Sequence, residues 1–179
     1  MRKVVVYELL SLDGVAESPD SFILDWDEVM DANLAEVIAP QDTVILGRRS
    51  YDEWADYWPT SDVEPFASFI NPVRKLVATS SPLDRDWPAA TRIEGDLADA
   101  VRALKSTEGG DIGVHASISV ARSLLAAGVV DELHLVVAPM IAGAGVRLLD
   151  DLPAIRLENL STTATPSGAL LLRYRVLPA

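Results

Sequence analysis

The chain has 179 residues, no cysteine, 49% hydrophobic and 23% charged residues, and a formal net charge of −12 from 15 Lys+Arg against 27 Asp+Glu. That length suits one domain, predicted over 1–179, able to bury a core without a disulfide or metal staple. The missing cysteines exclude a disulfide framework, a thiolate zinc site and a cysteine nucleophile, and the only two histidines, His115 and His134, argue against a metal centre. A polyanion partner needs a basic surface for counterion release, so neither nucleic acid nor an anionic membrane is expected as a partner. Glu8 interrupts the first apolar run and no stretch reaches 18 apolar residues, so no export signal or membrane span is expected and the predicted location is the cytoplasm.

Taken in order, 2–10 reads as a buried β-strand and 11–21 as a loop holding Asp13-Gly14 and Pro19. Residues 26–39 read as a helix with Trp26, Met30, Leu34, Val37 and Ile38 near one face, closed by Pro40. A strand at 42–47 leads into a short helix from Arg48 to about Tyr57, and 59–72 reads as irregular and aromatic-rich. Strands are predicted at 73–79 and 91–94, and an amphipathic helix at 97–106. A strand at 111–115 precedes a helix at 117–127, with Ser117 as N-cap and Gly128 as the residue that ends it. A strand at 131–138, a loop with Gly143 and Gly145, and an antiparallel hairpin of 155–163 and 168–176 complete the chain. Alternating strands and helices with continuous apolar strands predict an α/β sheet covered on both faces, made mixed by the closing hairpin.

Three strand ends stand out, because ligands of open α/β sheets bind beyond the carboxyl ends of the strands. Gly47 ends a buried strand and the next helix opens with Arg48, Arg49 and Ser50. Cations are unfavourable at a helix N-terminus unless an anion joins them there, so free amides and two guanidiniums suggest a phosphate site. The alternative is that both arginines pair with surface acids of a very acidic protein. Thr79 and Ser80 end another strand, where hydroxyls could meet a ribose or phosphate or could simply make a turn. His115, Ala116 and Ser117 form the third end; a pyrophosphate could pass there, or Ser117 could act as an ordinary N-cap and His115 as a hydrogen-bonded wall.

No P-loop, dinucleotide glycine fingerprint or GxSxG elbow occurs, and the glycines at 143 and 145 read as a turn. Asp13 is either a turn former or a site acid. Asp31 lies on a stripe bordering the apolar face of its helix, where it could reach into a pocket. Trp26, Trp54, Tyr57 and Trp58 could line a flat wall for a heteroaromatic ring or could belong to core or a subunit contact.

Together, SLDG (11–14), LGRRSYDEW (46–54), VATSSPL (77–83), VHASISVARSLLAAGVVDEL (114–133) and APMIAGAGVRLL (138–149) resemble the dihydrofolate-reductase-like superfamily. The most similar branch is the reductase domain of bifunctional riboflavin-biosynthesis deaminase–reductases and its stand-alone relatives. The resemblance runs in order over nearly the whole chain. It implies a mixed, mostly parallel eight-stranded sheet with helices on both faces, NADPH as hydride donor, a small-molecule substrate and a homodimer. Carried over by position, Gly47, Arg48, Arg49 and Ser50 would meet the cofactor phosphates. Thr79 and Ser80 would contact the adenosine ribose and its 2′-phosphate, and His115, Ala116 and Ser117 the pyrophosphate. Asp13 would lie near nicotinamide and substrate, and Asp31 falls where the reductases carry an acid on the first helix.

Where the family usually has glycine, this chain has Ala116, whose methyl would crowd a phosphate. From Val4 to Gly47 there are ten acids and no Lys or Arg, so the substrate expected on that side is neutral or cationic. Two functions follow from the resemblance taken with these residues. One is an NADPH-dependent reductase of a small, flat, pterin- or pyrimidine-like heterocycle, with Asp13 and Asp31 as catalytic acids and Trp26 and Trp54 against the substrate. The other is a binding protein for a nucleotide or small aromatic that moves no hydride.

Overall fold

A computed structural model describes residues 1–178. Eight strands form one sheet in the order β4-β3-β2-β5-β1-β6-β8-β7. They are β1 (Val4–Leu10), β2 (Gln41–Gly47), β3 (Arg74–Ala78), β4 (Ala90–Arg92), β5 (Asp111–His115), β6 (Glu132–Val137), β7 (Leu157–Ala164) and β8 (Leu170–Val176). The pairs from β4 across to β6 are parallel, and β8 runs antiparallel to both β6 and β7. The expected mixed, mostly parallel sheet with an antiparallel C-terminal pair is therefore what the chain forms.

The strands are apolar on both sides because both faces are covered. Val4, Val6 and Leu10 of β1 join Ile112, Val114, Leu133 and Leu135 beneath α4 (Leu97–Lys105) and α5 (Ile118–Ala126). The alternate residues Val5 and Tyr7 join Val44, Leu46 and Val136 beneath α1 (Glu28–Ile38), α2 (Arg48–Tyr57) and α3 (Phe66–Ile70). Helix α1 buries Met30, Leu34, Val37 and Ile38, the expected stripe, and starts after Asp27, whose carboxylate accepts the amides of Val29 and Met30. Helix α3 lies inside a segment expected to be irregular. At five residues it is too short for a periodic signal, and it forms because Phe66, Ala67 and Ile70 are buried against the sheet.

The chain leaves β1 through α1 towards β2, on one side, and leaves β5 through α5 towards β6, on the other. Since β1 and β5 are neighbours, the topological switch point lies between their carboxyl ends. Tyr7, Glu8, His115, Ala116 and Ser117 are gathered there.

Candidate functional site

At this switch point the N-termini of α2 and α5 are stitched together. The Gly47 amide donates to Ser117 Oγ (2.9 Å), Ser117 Oγ donates to Ser50 Oγ (2.9 Å), and Ser50 Oγ donates to the Ala116 carbonyl (2.9 Å). Ser117 therefore holds the N-cap position without capping: its hydroxyl serves α2 instead. Helices α1 and α4 are capped by the carboxylates of Asp27 and Asp96, whereas α2 and α5 have no side-chain cap. Two uncapped helix starts side by side form a concentrated positive potential with free amides. Ala116 lies exposed between them with φ +50°, a left-handed conformation that costs an L-residue about 1–2 kcal/mol and that glycine adopts freely.

The two arginines differ. Arg48 is tied down: Nε donates to Asp52 (2.8 Å), Nη1 to the Pro82 carbonyl (2.8 Å) and Nη2 to Asp84 (2.8 Å). Arg49 extends into solvent, its side chain 74% exposed, with Glu53 at 3.0 Å and Glu17 at 3.6 Å. These acids hold both guanidiniums firmly protonated, the Asp52 and Glu53 hydrogen bonds acting most strongly. Thr79 and Ser80 follow β3 on the same rim; Thr79 Oγ1 accepts the Ser81 amide. Beside them Arg92 donates to the Ser80 carbonyl at 3.1 Å and to Glu94 at 2.7 Å. Sequence reasoning passed over Arg92, because a base on a short strand carries no motif.

On the α1 side of the sheet, Trp26 Nε1 donates to Asp31 Oδ1 at 2.7 Å, which fixes the carboxylate at the edge of the helix. Tyr7 lies beneath. Burial, and then the charge of Asp31, push its hydroxyl pKa up, so it stays a neutral donor. Its ring meets His115 at 5.8 Å, and His115 meets Phe66 at 5.3 Å. Phe66 continues to Trp54 (5.4 Å) and Trp58 (4.8 Å), with Tyr57 packed on Trp58 (5.0 Å). Trp54, Tyr57 and Trp58 thus form one aromatic wall, while Trp26 stands with Asp31. His115 is a neutral wall residue: Gln41 donates to the Val37 carbonyl, which turns its Oε1 towards His115 Nε2 at 2.9 Å. Burial, helped by the charge of His134, lowers the His115 pKa to about 3.

Asp13 is a clamp. Its carboxylate accepts Ser11 Oγ (2.7 Å) and the amides of Ala142 and Gly143 (2.9 Å each), and Arg147 donates to its carbonyl at 2.9 Å. These bonds, the Ser11 hydroxyl first, hold its pKa at about 2. The glycine turn at 143–145 therefore serves to bind Asp13 and to close the loop after β1.

Among the described residues, three buried side-chain polar atoms have no hydrogen-bond partner: Tyr7 Oη, Glu8 Oε1 and Trp58 Nε1. Such atoms are costly and rare, and they mark places completed by water or ligand. Tyr7 and Glu8 are consecutive on β1 at the switch point and face opposite sides of the sheet. Sequence reasoning missed both as site residues, although an acid inside an apolar strand was a visible signal.

The family model of the RibD C-terminal domain matches residues 2–171. The chain belongs to the RibD C-terminal domain family. A relative of this RibD-type chain is the uncharacterized protein YyaP of Bacillus subtilis (strain 168), 26% identical over 180 residues, covering 97% of this chain and 94% of its own. A pyrimidine reductase-like protein of Corynebacterium diphtheriae superposes with TM-score 0.74 at 17% identity, covering 99% of this chain and 93% of its own. Dihydrofolate reductase from Enterococcus faecalis, complexed with NADP(H), superposes with TM-score 0.64 at 12% identity, covering 98% and 97%. The RibD-type chain therefore has the dihydrofolate-reductase-like fold. No helix among its described residues is long and apolar enough to cross a membrane.

Proposed function

We propose that the protein is an NADPH-dependent reductase of a small, flat, neutral or cationic heterocycle of pterin or pyrimidine type. The observation that carries this reading is the pair of partnerless polar atoms, Tyr7 Oη and Glu8 Oε1, at the switch point of a RibD-type sheet. The uncapped starts of α2 and α5 fit a diphosphate through their backbone amides, with Gly47, Ser50 and Ser117 holding the two helices in register. Arg49 is the cation placed to reach a phosphate, and Thr79, Ser80 and Arg92 form the rim that suits a ribose 2′-phosphate. NADPH supplies the hydride when bound.

The remaining work belongs to the chain's own residues. Asp31, oriented by Trp26, can anchor a ring nitrogen or hold the proton that the reduced ring takes up. Tyr7 offers a hydroxyl donor beneath it, and the aromatic wall around Trp54 excludes water. Asp13, ionised and bound on three sides, positions the loop and does not donate a proton. We also place the protein as a homodimer; Leu12 and Ile141, 64% and 68% exposed on adjoining loops, offer apolar contact area. Size by light scattering checks that assignment.

A second reading, a binder that moves no hydride, has its own support: Arg48 is engaged by Asp52, Asp84 and the Pro82 carbonyl, and Ala116 places a methyl between the helix starts. Titration with NADPH, followed by energy transfer from the tryptophans, separates the readings when coupled to an oxidation assay over pterins, pyrimidines and flavin precursors. Turnover that falls about 100-fold in Asp31→Asn with unchanged NADPH affinity is the expected result. Absence of NADPH binding at high micromolar concentration sinks the reductase reading, and saturable binding without any oxidation favours the binder.

A further inference from the structure

Glu8 marks the site but is given no chemical step in the reaction outlined above, and one of its buried carboxyl oxygens lacks a partner. It sits mid-strand in β1, 4% exposed, on the face covered by α5, with Oε1 lacking any partner. Among the described residues no cation acts on it. On β5 and β6, His115 and His134 belong to the opposite face, and Asp111 and Glu132 lie at the far ends of those strands. Arg122 of α5 is bound to the carbonyls of Arg147 and Leu148. Arg48 and Arg49 of α2 are held by Asp52, Asp84, Glu53 and Glu17. In the flanking loops Asp13 and Arg147 pair with each other. The one group acting on the Glu8 carboxyl besides burial is the backbone amide of Ser117, at the start of α5.

A carboxyl beneath an uncapped helix start competes with any anion that the same helix start would bind from above. Both draw on the same positive end, and two negative charges there repel. We propose that Glu8 couples anion binding across the N-termini of α2 and α5 to its own protonation, so that a dinucleotide phosphate binds tightly only while Glu8 is neutral. This rests on the dinucleotide reading of the site. Burial pushes the Glu8 pKa up to about 8, against the Ser117 amide, so the coupling is felt just above neutral pH. The sign follows directly. Below pH 8 Glu8 is already neutral and affinity is full; above pH 8 binding must take up a proton, and affinity falls as pH rises.

The test is NADPH affinity between pH 7 and 9.5 for wild type and Glu8→Gln, with calorimetry at pH 8.5 in two buffers of different ionisation enthalpy. Wild type is expected to lose about tenfold in affinity over this range and to take up part of a proton on binding. Glu8→Gln, neutral throughout, should show neither. Lys75, lowered to about 8 by burial, titrates in the same window but is present in both proteins, so their difference isolates Glu8. Glu8→Leu, which keeps the site neutral without an amide, should match Glu8→Gln and guards against an effect of the amide itself. Equal pH profiles in wild type and Glu8→Gln overturn the coupling and leave the dinucleotide reading standing. Absence of binding in both at pH 7 overturns both.

Discussion

The Asp13 carboxylate accepts the Gly143 amide at 2.9 Å across 130 residues of chain. That bond, with its neighbour to Ala142, joins the loop after β1 to the loop after β6. Asp13→Asn can replace only part of this set, because an amide cannot accept from Ser11, Ala142 and Gly143 as a carboxylate does. The expected outcome is a melting temperature lower by a few degrees and faster hydrogen exchange at Ala142 and Gly143. Because the carboxyl stays ionised down to about pH 2, the clamp should hold in wild type at pH 4 and fail as pH falls towards 2. Unchanged exchange at both amides in the variant would contradict the clamp.

Ala116 occupies a left-handed position between two helix starts. Ala116→Gly relieves that strain, offset in part by the greater freedom of glycine in the unfolded chain, for a net gain of up to about 1 kcal/mol. It also removes a methyl between the two helix starts where the diphosphate is proposed to bind. Denaturant melts and NADPH titration should both move in the favourable direction; weaker binding in the variant would place the phosphates elsewhere.

Arg48 and Arg49 are adjacent, but their surroundings predict different phenotypes. Arg49→Ala should raise the Kd for NADPH by roughly tenfold at low salt and flatten its salt dependence. Arg48→Ala should have the smaller effect on binding and the larger effect on melting, since it releases Asp52, Asp84 and the Pro82 carbonyl. Circular dichroism melts with binding isotherms at two salt concentrations resolve the pair, and a larger binding loss at Arg48 would reverse the assignment.

Glu8 also makes stability depend on pH. A glutamate of the unfolded chain loses its proton near 4.5, whereas buried Glu8 keeps it to about 8. Between those values the native state holds a proton that the unfolded state has released. Stability therefore declines with rising pH across this window, by at most about 1.4 kcal/mol per unit from this group. Glu8→Gln removes the slope, so the variant should melt above wild type at pH 8 and approach it near pH 4.5. Melting curves that stay parallel across that range would show that Glu8 is not buried as a neutral acid.

Much of this protein was legible in the residues. Strand and helix positions follow from local apolar periodicity, and caps such as Asp27 act within three residues of their targets. The candidate site was legible as a place, since Gly47, Ala78 and His115 end parallel strands and Thr79 and Ala116-Ser117 follow directly. The meaning of single polar side chains was less so. Ser117 reads as an N-cap and instead binds Gly47, 70 residues away. Asp13 reads as a candidate acid, and three donors keep it a carboxylate. Glu8 reads only as a break in an apolar run.

The sequence by itself determined most of the elements and the family, and it pointed to one end of the sheet for the candidate site, because periodicity, turn residues and strand ends are properties of short stretches of chain. Only the tertiary structure decided which arginine is the more exposed, which acid is ionised and which buried group lacks a partner. Those properties depend on what lies within about 3 Å of an atom, and many of the deciding neighbours come from other elements: Asp84 reaches Arg48 across 36 residues and the Gly143 amide reaches Asp13 across 130.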